Sequence, residues 1–320
     1  MAEIGRDIAR AASFLSQGEL VAIPTETVYG LAANAYDEAA VVKIFEAKNR
    51  PAFDPLIVHT HSVAELSKIA REVPDVAYLL AEKFMPGPLT LILPKAEHVP
   101  LLVTSGHDSV GVRIPHHPLT LKLLQSLPFP LAAPSANPFG YVSPTTAQHV
   151  QDQLGNRLPY ILDGGASHIG IESTIIRLDG HQVEVLRLGG LALEDLEDVV
   201  QISKAKIKTS SSNPAAPGML SSHYSPRIKV LLGSISDNLQ AVNPERVGII
   251  SLQGLYPNVP LDQQVQLSAT GNLAEAARHL FSALRSLDGL NIDLILAEPM
   301  PEQGLGRAIN DRLQRASFQG

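Results

Sequence analysis

The sequence predicts an α/β protein: one large sheet with helices in a first domain, then a linker, then a smaller Rossmann-like α/β domain. Three observations carry this. Over residues 1–203 short apolar runs alternate with segments of helical period. Residues 204–227, KAKIKTSSSNPAAPGMLSSHYSPR, are rich in Ser, Pro and Lys and hold neither period, as linkers do. Over 228–320 the strand–helix alternation resumes on a smaller scale. At 320 residues the chain exceeds one typical domain, so the boundaries are set at 1–203, 204–227 and 228–320.

Taken in order, Ile4, Ile8, Ala11, Ala12 and Leu15 recur at helical spacing. Leu20–Pro24 reads as a short buried strand ending in a turn, and Asp37 can cap a helix running to about Ala47. Further strands are expected at Leu56–His59, Leu89–Leu93, Val110–Ile114, Leu131–Ala133, Tyr160–Leu162, Thr174–Leu178 and Val183–Leu188. Helical patterns lie near 62–71, 74–84, 117–126, 144–154 and 192–200. In the tail, Lys229–Leu232, Val247–Leu252 and Leu294–Ala297 read as strands and Leu273–Leu290 as a long amphipathic helix. Gly304-Leu-Gly-Arg-Ala opens a final helix carrying Ile309 and Leu313.

Composition narrows the function classes. With 45% hydrophobic and 18% charged residues the chain is globular rather than disordered. No apolar run approaches the ~18 residues of a membrane helix, so no membrane partner is expected, and Met1–Asp7 lacks a signal-peptide core. The absence of Cys excludes disulfides, thiolate metal sites and a cysteine nucleophile, and is compatible with a cytoplasmic protein. Residues 1–203 hold 14 basic against 23 acidic residues, net −9, a poor match for unspecific nucleic-acid binding. Only the linker, with Lys204, Lys206, Lys208 and Arg227 and no acid, could steer polyanions. Phosphate-loop, nucleophile-elbow and zinc-helix motifs are all missing. Without Cys or a third clustered ligand, His59-x-His61 and His116-His117 read as surface or hydrogen-bonding histidines.

The chemistry-bearing segments are polar, punctuated by Pro and Gly, and sit at strand ends, where α/β sheets hold ligands. Pro24-Thr-Glu-Thr-Val-Tyr-Gly-Leu31 follows a buried strand with Thr25, Glu26, Thr27 and Tyr29. In Lys48-Asn-Arg-Pro, two cations two residues apart before a proline can point the same way in an extended segment, a pattern suited to polyphosphate. Arg113, inside the apolar run Val110–Ile114, must be paired with a bound anion or a structural carboxylate. Ala133-Pro-Ser-Ala-Asn-Pro138 with Ser143-Pro-Thr145, Ile171-Glu-Ser-Thr174 and Leu186-Arg-Leu-Gly-Gly190 complete the set. Four cations, many hydroxyls and no activated nucleophile favour an anionic nucleotide and a small polar substrate, with catalysis by positioning and charge stabilisation.

In this order, P-T-E-T-V-Y-G-L, K-N-R-P…P-L-I-V-H, P-G-P-L-T, V-G-V-R-I-P, P-S-A-N and E-S-T resemble the YrdC-like threonylcarbamoyl-AMP synthase family over about residues 10–200. The tail, with P-G-M…H-Y-S-P and G-L-G-R-A-I-N-D-R-L, resembles that family's long form. The resemblance implies a twisted open mixed sheet with a large cavity. It also implies a nucleotidyltransferase that joins L-threonine, bicarbonate and ATP into threonylcarbamoyl-AMP, releases pyrophosphate, and uses Mg2+ with the nucleotide. The product would feed N6-threonylcarbamoyladenosine formation at tRNA position 37 through a downstream tRNA-modifying enzyme complex. By motif position the resemblance assigns Thr27, His59, Arg113, Ala133 and Ser173 to threonine. To ATP it assigns Lys48, Arg50, Asp54, Ser109, Ser135, Asn137, Ser143, Arg187 and Tyr224, with Lys48 and Arg50 catalytic and Tyr224 folding over the nucleotide. No protein metal ligand is expected. Arg50→Ala and Arg113→Ala are expected to cost activity far more than stability.

Two other readings compete. The YrdC-like portion of hydrogenase maturation proteins performs related carbamoyl transfer, but its zinc-finger Cys clusters are missing here. An RNA-binding accessory factor in tRNA or ribosome maturation is disfavoured by the acidic first domain.

Overall fold

The computed structural model describes residues 1–179, 182–200, 217 and 223–318. Most of the expected linker 204–227, including its three lysines, lies outside the described residues. The first region contains strands β1 Glu3–Gly5, β2 Val21–Ile23, β3 Gly30–Asn34, β4 Ile57–His59, β5 Leu89–Pro94, β6 Ser109–Arg113, β7 Leu131–Ala132, β8 Tyr160–Leu162, β9 Thr174–Asp179 and β10 Gln182–Arg187. Its helices are α1 Ile8–Ser16, α2 Glu38–Lys48, α3 Leu66–Ile69, α4 Asp75–Phe84, α5 Leu101–Thr104, α6 Pro118–Ser126, α7 Ala147–Leu154 and α8 Leu193–Glu197. The ten strands form one mixed sheet in the order β1-β8-β2-β3-β7-β4-β6-β5-β9-β10. The second region contains β11 Lys229–Leu232, α9 Ile235–Asn238, β12 Val247–Ser251, β13 Gln264–Gln266, α10 Leu273–Asp288, β14 Leu294–Ala297 and α11 Gly306–Ser317. Its four strands pair in parallel, in the order β11-β14-β12-β13.

Local signals account for many of these elements. The Asp37 carboxylate accepts from the N–H groups of Ala39 and Ala40 and starts α2, as expected. Asn49, in the left-handed region, ends it. Asn272 caps α10 in the same manner, and Ala276, Ala277, Leu280, Phe281, Leu284 and Leu287 form its buried stripe.

Five short elements differ from the sequence reading. Ile4 belongs to β1, not to the first helix, because Glu3–Gly5 pairs with Tyr160–Leu162 far along the chain. Gly30–Asn34, without β-branched residues, is a strand because β2 and β7 pair on its two sides. The short β13, α5 and α9 carry too few residues to show a period.

The two regions share one apolar cluster: Val28, Val142 and Ile171 pack with Tyr224 and the buried stripe of α10. Gly170 makes the close approach possible. Its φ is +84°, and a Cβ there would lie 2.4 Å from the Arg278 Cα. Polar contacts flank the seam: Arg278 Nε donates to the His168 carbonyl at 2.8 Å, and Arg285 Nη2 donates to Gln153 Oε1 at 2.9 Å. No helix among the described residues is long and apolar enough to cross a membrane.

Candidate active site

A cavity of about 50 Å3 lies at the ends of β4 and β6, between loops of the large sheet. One part is built around Arg113. Parallel pairing puts His59 of β4 opposite Arg113 of β6. Arg113 is buried, and its Nη2 donates to Glu26 Oε1 at 2.7 Å and to Thr27 Oγ1 at 2.8 Å. Its Nε reaches the Gly87 carbonyl at 3.3 Å. The partner that the sequence demands is therefore a structural carboxylate, Glu26, whose second oxygen accepts the His116 N–H at 3.0 Å. The loop after β2 holds Glu26 in place, since Thr25 Oγ1 accepts from the N–H groups of Thr27 and Val28 and donates to the Val28 carbonyl. Burial, reinforced by Arg113, pushes His59 down to about 3, so its imidazole is neutral.

Ser173 joins this part to the next. Its hydroxyl shares a hydrogen bond with Thr90 Oγ1 at 2.8 Å, and its carbonyl accepts from Arg187 Nε and Nη2 at 3.1 and 2.9 Å. Arg187 Nη1 donates to the Pro217 carbonyl at 3.1 Å. Arg50 pairs with buried Asp54 at 2.9 Å and donates to the Asp54 and Pro55 carbonyls. Burial pushes the Asp54 carboxyl up, against the pull of Arg50 and Lys48.

Residues distant in sequence close the cavity. Pro217, His223 and Tyr224 line it. Tyr224 has φ +62° and stacks on Phe281 with ring centroids 5.4 Å apart. The Arg312 guanidinium of α11 lies 5.1 Å from the Tyr224 ring centroid. Arg312 is wholly buried, and its Nε donates to Glu172 Oε2 at 2.9 Å, while Ser143 Oγ donates to Glu172 Oε1 at 2.5 Å. Burial works to raise Glu172, but Arg312, Arg187 and Ser143 together hold it below the usual carboxylate range. Burial, then Arg50, Lys48, Arg187 and Arg312, push His223 well down, so it too is neutral.

Of the residues assigned to threonine by resemblance, His59, Arg113, Ala133 and Ser173 line the cavity, and Thr27 meets it through Arg113. Of those assigned to ATP, Arg50, Ser135, Arg187 and Tyr224 line it, whereas Lys48, Asp54, Ser109, Asn137 and Ser143 do not. Lys48 differs most from its expected place. It is the last residue of α2, and the left-handed Asn49 turns the chain, so Lys48 and Arg50 do not share one extended face. Its amine is spent on the carbonyls of Ser135 and Asn137. Burial, with Arg50 adding to it, holds that amine well below its ordinary value. Ser109 begins β6, about 13 Å along the strand from Arg113. The Asn137 amide bonds the Pro138 and Tyr141 carbonyls. The enclosed space is smaller than the resemblance implies, and Pro217, His223 and Tyr224 form part of its wall. Sequence reasoning singled out Glu26 without giving it a role and assigned nothing to Glu172, His223 and Arg312. All four stood inside quoted motifs, Arg312 in that of the final helix, without a local sign of what they touch.

Three arginines facing one small space, beside neutral histidines and, among the described residues, without a nucleophile–base pair, suit anionic groups rather than covalent catalysis. Two family models match the chain: one described as Telomere recombination (Sua5_yciO_yrdC) over residues 13–189, the other as Threonylcarbamoyl-AMP synthase, C-terminal domain, over 191–317. The threonylcarbamoyl-AMP synthase of Pyrococcus abyssi is 45% identical, covering 96% of this chain and 93% of its own. That of Bacillus subtilis is 39% identical, covering 97% and 92%. The crystal structure of P. abyssi Sua5 complexed with L-threonine superposes with a TM-score of 0.90 at 42% identity, covering 99% of this chain and 97% of that one. Escherichia coli YciO shares the fold of the first region, with a TM-score of 0.52 at 23% identity, covering 59% of this chain and 96% of that one.

Proposed function

The chain belongs to the threonylcarbamoyl-AMP synthase family, and we propose that it condenses L-threonine, bicarbonate and ATP into L-threonylcarbamoyl-AMP, releasing pyrophosphate. The product then serves N6-threonylcarbamoyladenosine formation on tRNA, handed to a tRNA-modifying enzyme in the cytoplasm. The observation that carries this reading is one cavity gathering Arg113, His59 and Ser173 with Arg50, Arg187 and Ser135.

In this reading the threonine amine attacks bicarbonate or carbon dioxide. With bicarbonate, water is lost; either route gives N-carboxy-threonine. A carboxylate oxygen of that species attacks the α-phosphorus of ATP, and the bond to the pyrophosphate oxygen breaks. Arg113 receives the threonine carboxylate. Neutral His59 adds no charge to repel the amine. Arg50 and Arg187 offset the charge developing on the phosphates. Lys48 acts from behind, holding the Ser135–Asn137 loop by its carbonyls.

The donor set fits a Mg2+ ion carried by the nucleotide rather than held in a protein cage. Among the described residues no three His, Asp or Glu side chains gather for a metal. Glu172, the one carboxylate lining the cavity among the described residues, is engaged by Ser143 and Arg312, so phosphates and water would supply most of the shell. When bound, the ion neutralises phosphate charge.

The test is pyrophosphate release from Mg-ATP with threonine or bicarbonate omitted in turn. Release that requires both supports the synthase reading. Release without either, or none under any condition, overturns it.

A further inference from the structure

Glu26 is a wholly buried carboxylate without a part in the chemistry above. Both its oxygens face donors: Oε1 takes Arg113 Nη2 at 2.7 Å, and Oε2 takes the backbone N–H of His116 at 3.0 Å. Arg113 is thereby fixed on three sides. Its Nε is held by the Gly87 carbonyl, and its Nη2 is divided between Glu26 and Thr27. Among the described residues its Nη1 has no hydrogen-bond partner. A planar guanidinium locked at Nε and Nη2 can offer an incoming anion only the Nη1 end.

We infer that Glu26 is the positioning residue for amino-acid recognition: it fixes the Arg113 guanidinium so that Nη1 alone meets the carboxylate of the substrate. This rests on the reading of Arg113 as the carboxylate partner. The chemistry of the site explains why the residue is a carboxylate. Arg113 and His116 both present N–H groups, so two acceptors are needed. A glutamine in the same place has one acceptor and one donor and must leave one of them unmatched. Glu26 also offsets the single positive charge of Arg113, so the pair recognises one carboxylate by the direction of its N–H groups rather than by an open cationic field. The arrangement is braced from outside, because the Glu26 carbonyl accepts the Ile169 N–H at 2.8 Å and the Thr25 carbonyl accepts Ser167 Oγ at 3.0 Å.

The test measures binding of L-threonine and of L-threonine amide, which lacks the carboxylate, to the full chain by calorimetry. Wild type and Glu26→Gln are compared, and steady-state kinetics run alongside. The expected result is a loss of threonine affinity of tenfold or more in Glu26→Gln. The amide should bind the two proteins within twofold, and KM for ATP should also stay within twofold. Equal threonine affinity in the two proteins overturns the inference, as does an equal loss for threonine and its amide, which marks a structural defect only. If Glu26→Gln melts more than a few degrees early, Glu26→Asp takes its place. It keeps the charge but falls one methylene short of its two donors, and the same carboxylate-selective loss is expected. Wild-type protein that binds threonine but releases no pyrophosphate defeats the synthase reading and leaves this inference to be decided by the binding comparison. Wild-type protein that binds no threonine overturns the inference.

Discussion

The two parts of the cavity are built by different means. The part around Arg113 comes from neighbouring strands and loops of one sheet: His59 and Arg113 are register partners, and Glu26, Thr27 and Gly87 reach them from adjacent turns. The part around Arg50 and Arg187 is finished by residues that arrive last, namely Pro217, His223, Tyr224 and, behind them, Arg312. The first part is a property of one sheet. The second exists only while two regions are packed together, so the two should respond differently to the same kind of mutation.

The largest expected effect is Arg113→Ala. It removes a substrate contact and strands Glu26 as a buried charge, so activity should fall at least a hundredfold and stability by about 3–5 kcal/mol. Urea unfolding and pyrophosphate release check both. Because the ion pair is buried, the loss of stability should be comparable to the loss of activity rather than far below it, and Arg50 with Asp54 repeats the argument. Next comes Arg312→Ala, which leaves Glu172 with Ser143 alone on its side chain. Stability should fall by about 3 kcal/mol, and KM for ATP should rise more than KM for threonine; an equal rise would erase the distinction between the two parts. Tyr224→Ala should raise KM for ATP about tenfold, in line with the loss of a stacking platform, with KM for threonine unchanged. Arg307→Ala gives the smallest effect. Its pair with Glu194 joins the two regions at the surface and is partly exposed, so less than about 1 kcal/mol is expected.

Acid should act on the first part of the cavity and, outside the cavity, on α7. His59 at about 3 and His149 at about 4 are depressed from an ordinary 6.5, first by burial and then by Arg113 and Arg285 respectively. The unfolded chain therefore binds protons that the folded chain refuses. The stability conferred by neutral histidine is present above about pH 6.5 and is lost as pH falls toward 4. Tm measured at pH 7.5 and 5 should drop, and His59→Gln should flatten that drop.

What could be read in advance follows the same division. The strands that carry His59, Arg113 and Arg187 were legible because each is a short apolar run, and Asp37 announces its helix by its own side chain. β1 and β3 were not, because pairing rather than propensity makes them strands. Lys48 and Arg50 looked alike in sequence. One left-handed residue between them sends the first under a loop and the second into the cavity. Glu172 and Arg312 stand 140 residues apart, and nothing local to either forecasts the bond. Motifs named residues of both parts, Arg113 and His59 in the first and Arg50, Arg187 and Tyr224 in the second, whereas the packed structure supplied their buried partners Glu26, Glu172 and Arg312.

A space of about 50 Å3 has room for a water or two and is far below the volume of an adenine nucleotide. Under the proposed reaction, admitting a nucleotide to this space would require Pro217, His223 and Tyr224 to move outward and return. Tyr224 closes in a backbone conformation that side chains resist. Such a stroke works against solvent friction, whereas bond making at phosphorus does not. If this movement sets the pace, turnover should slow in proportion to added sucrose or glycerol, and the enzyme would keep time by the viscosity of its surroundings.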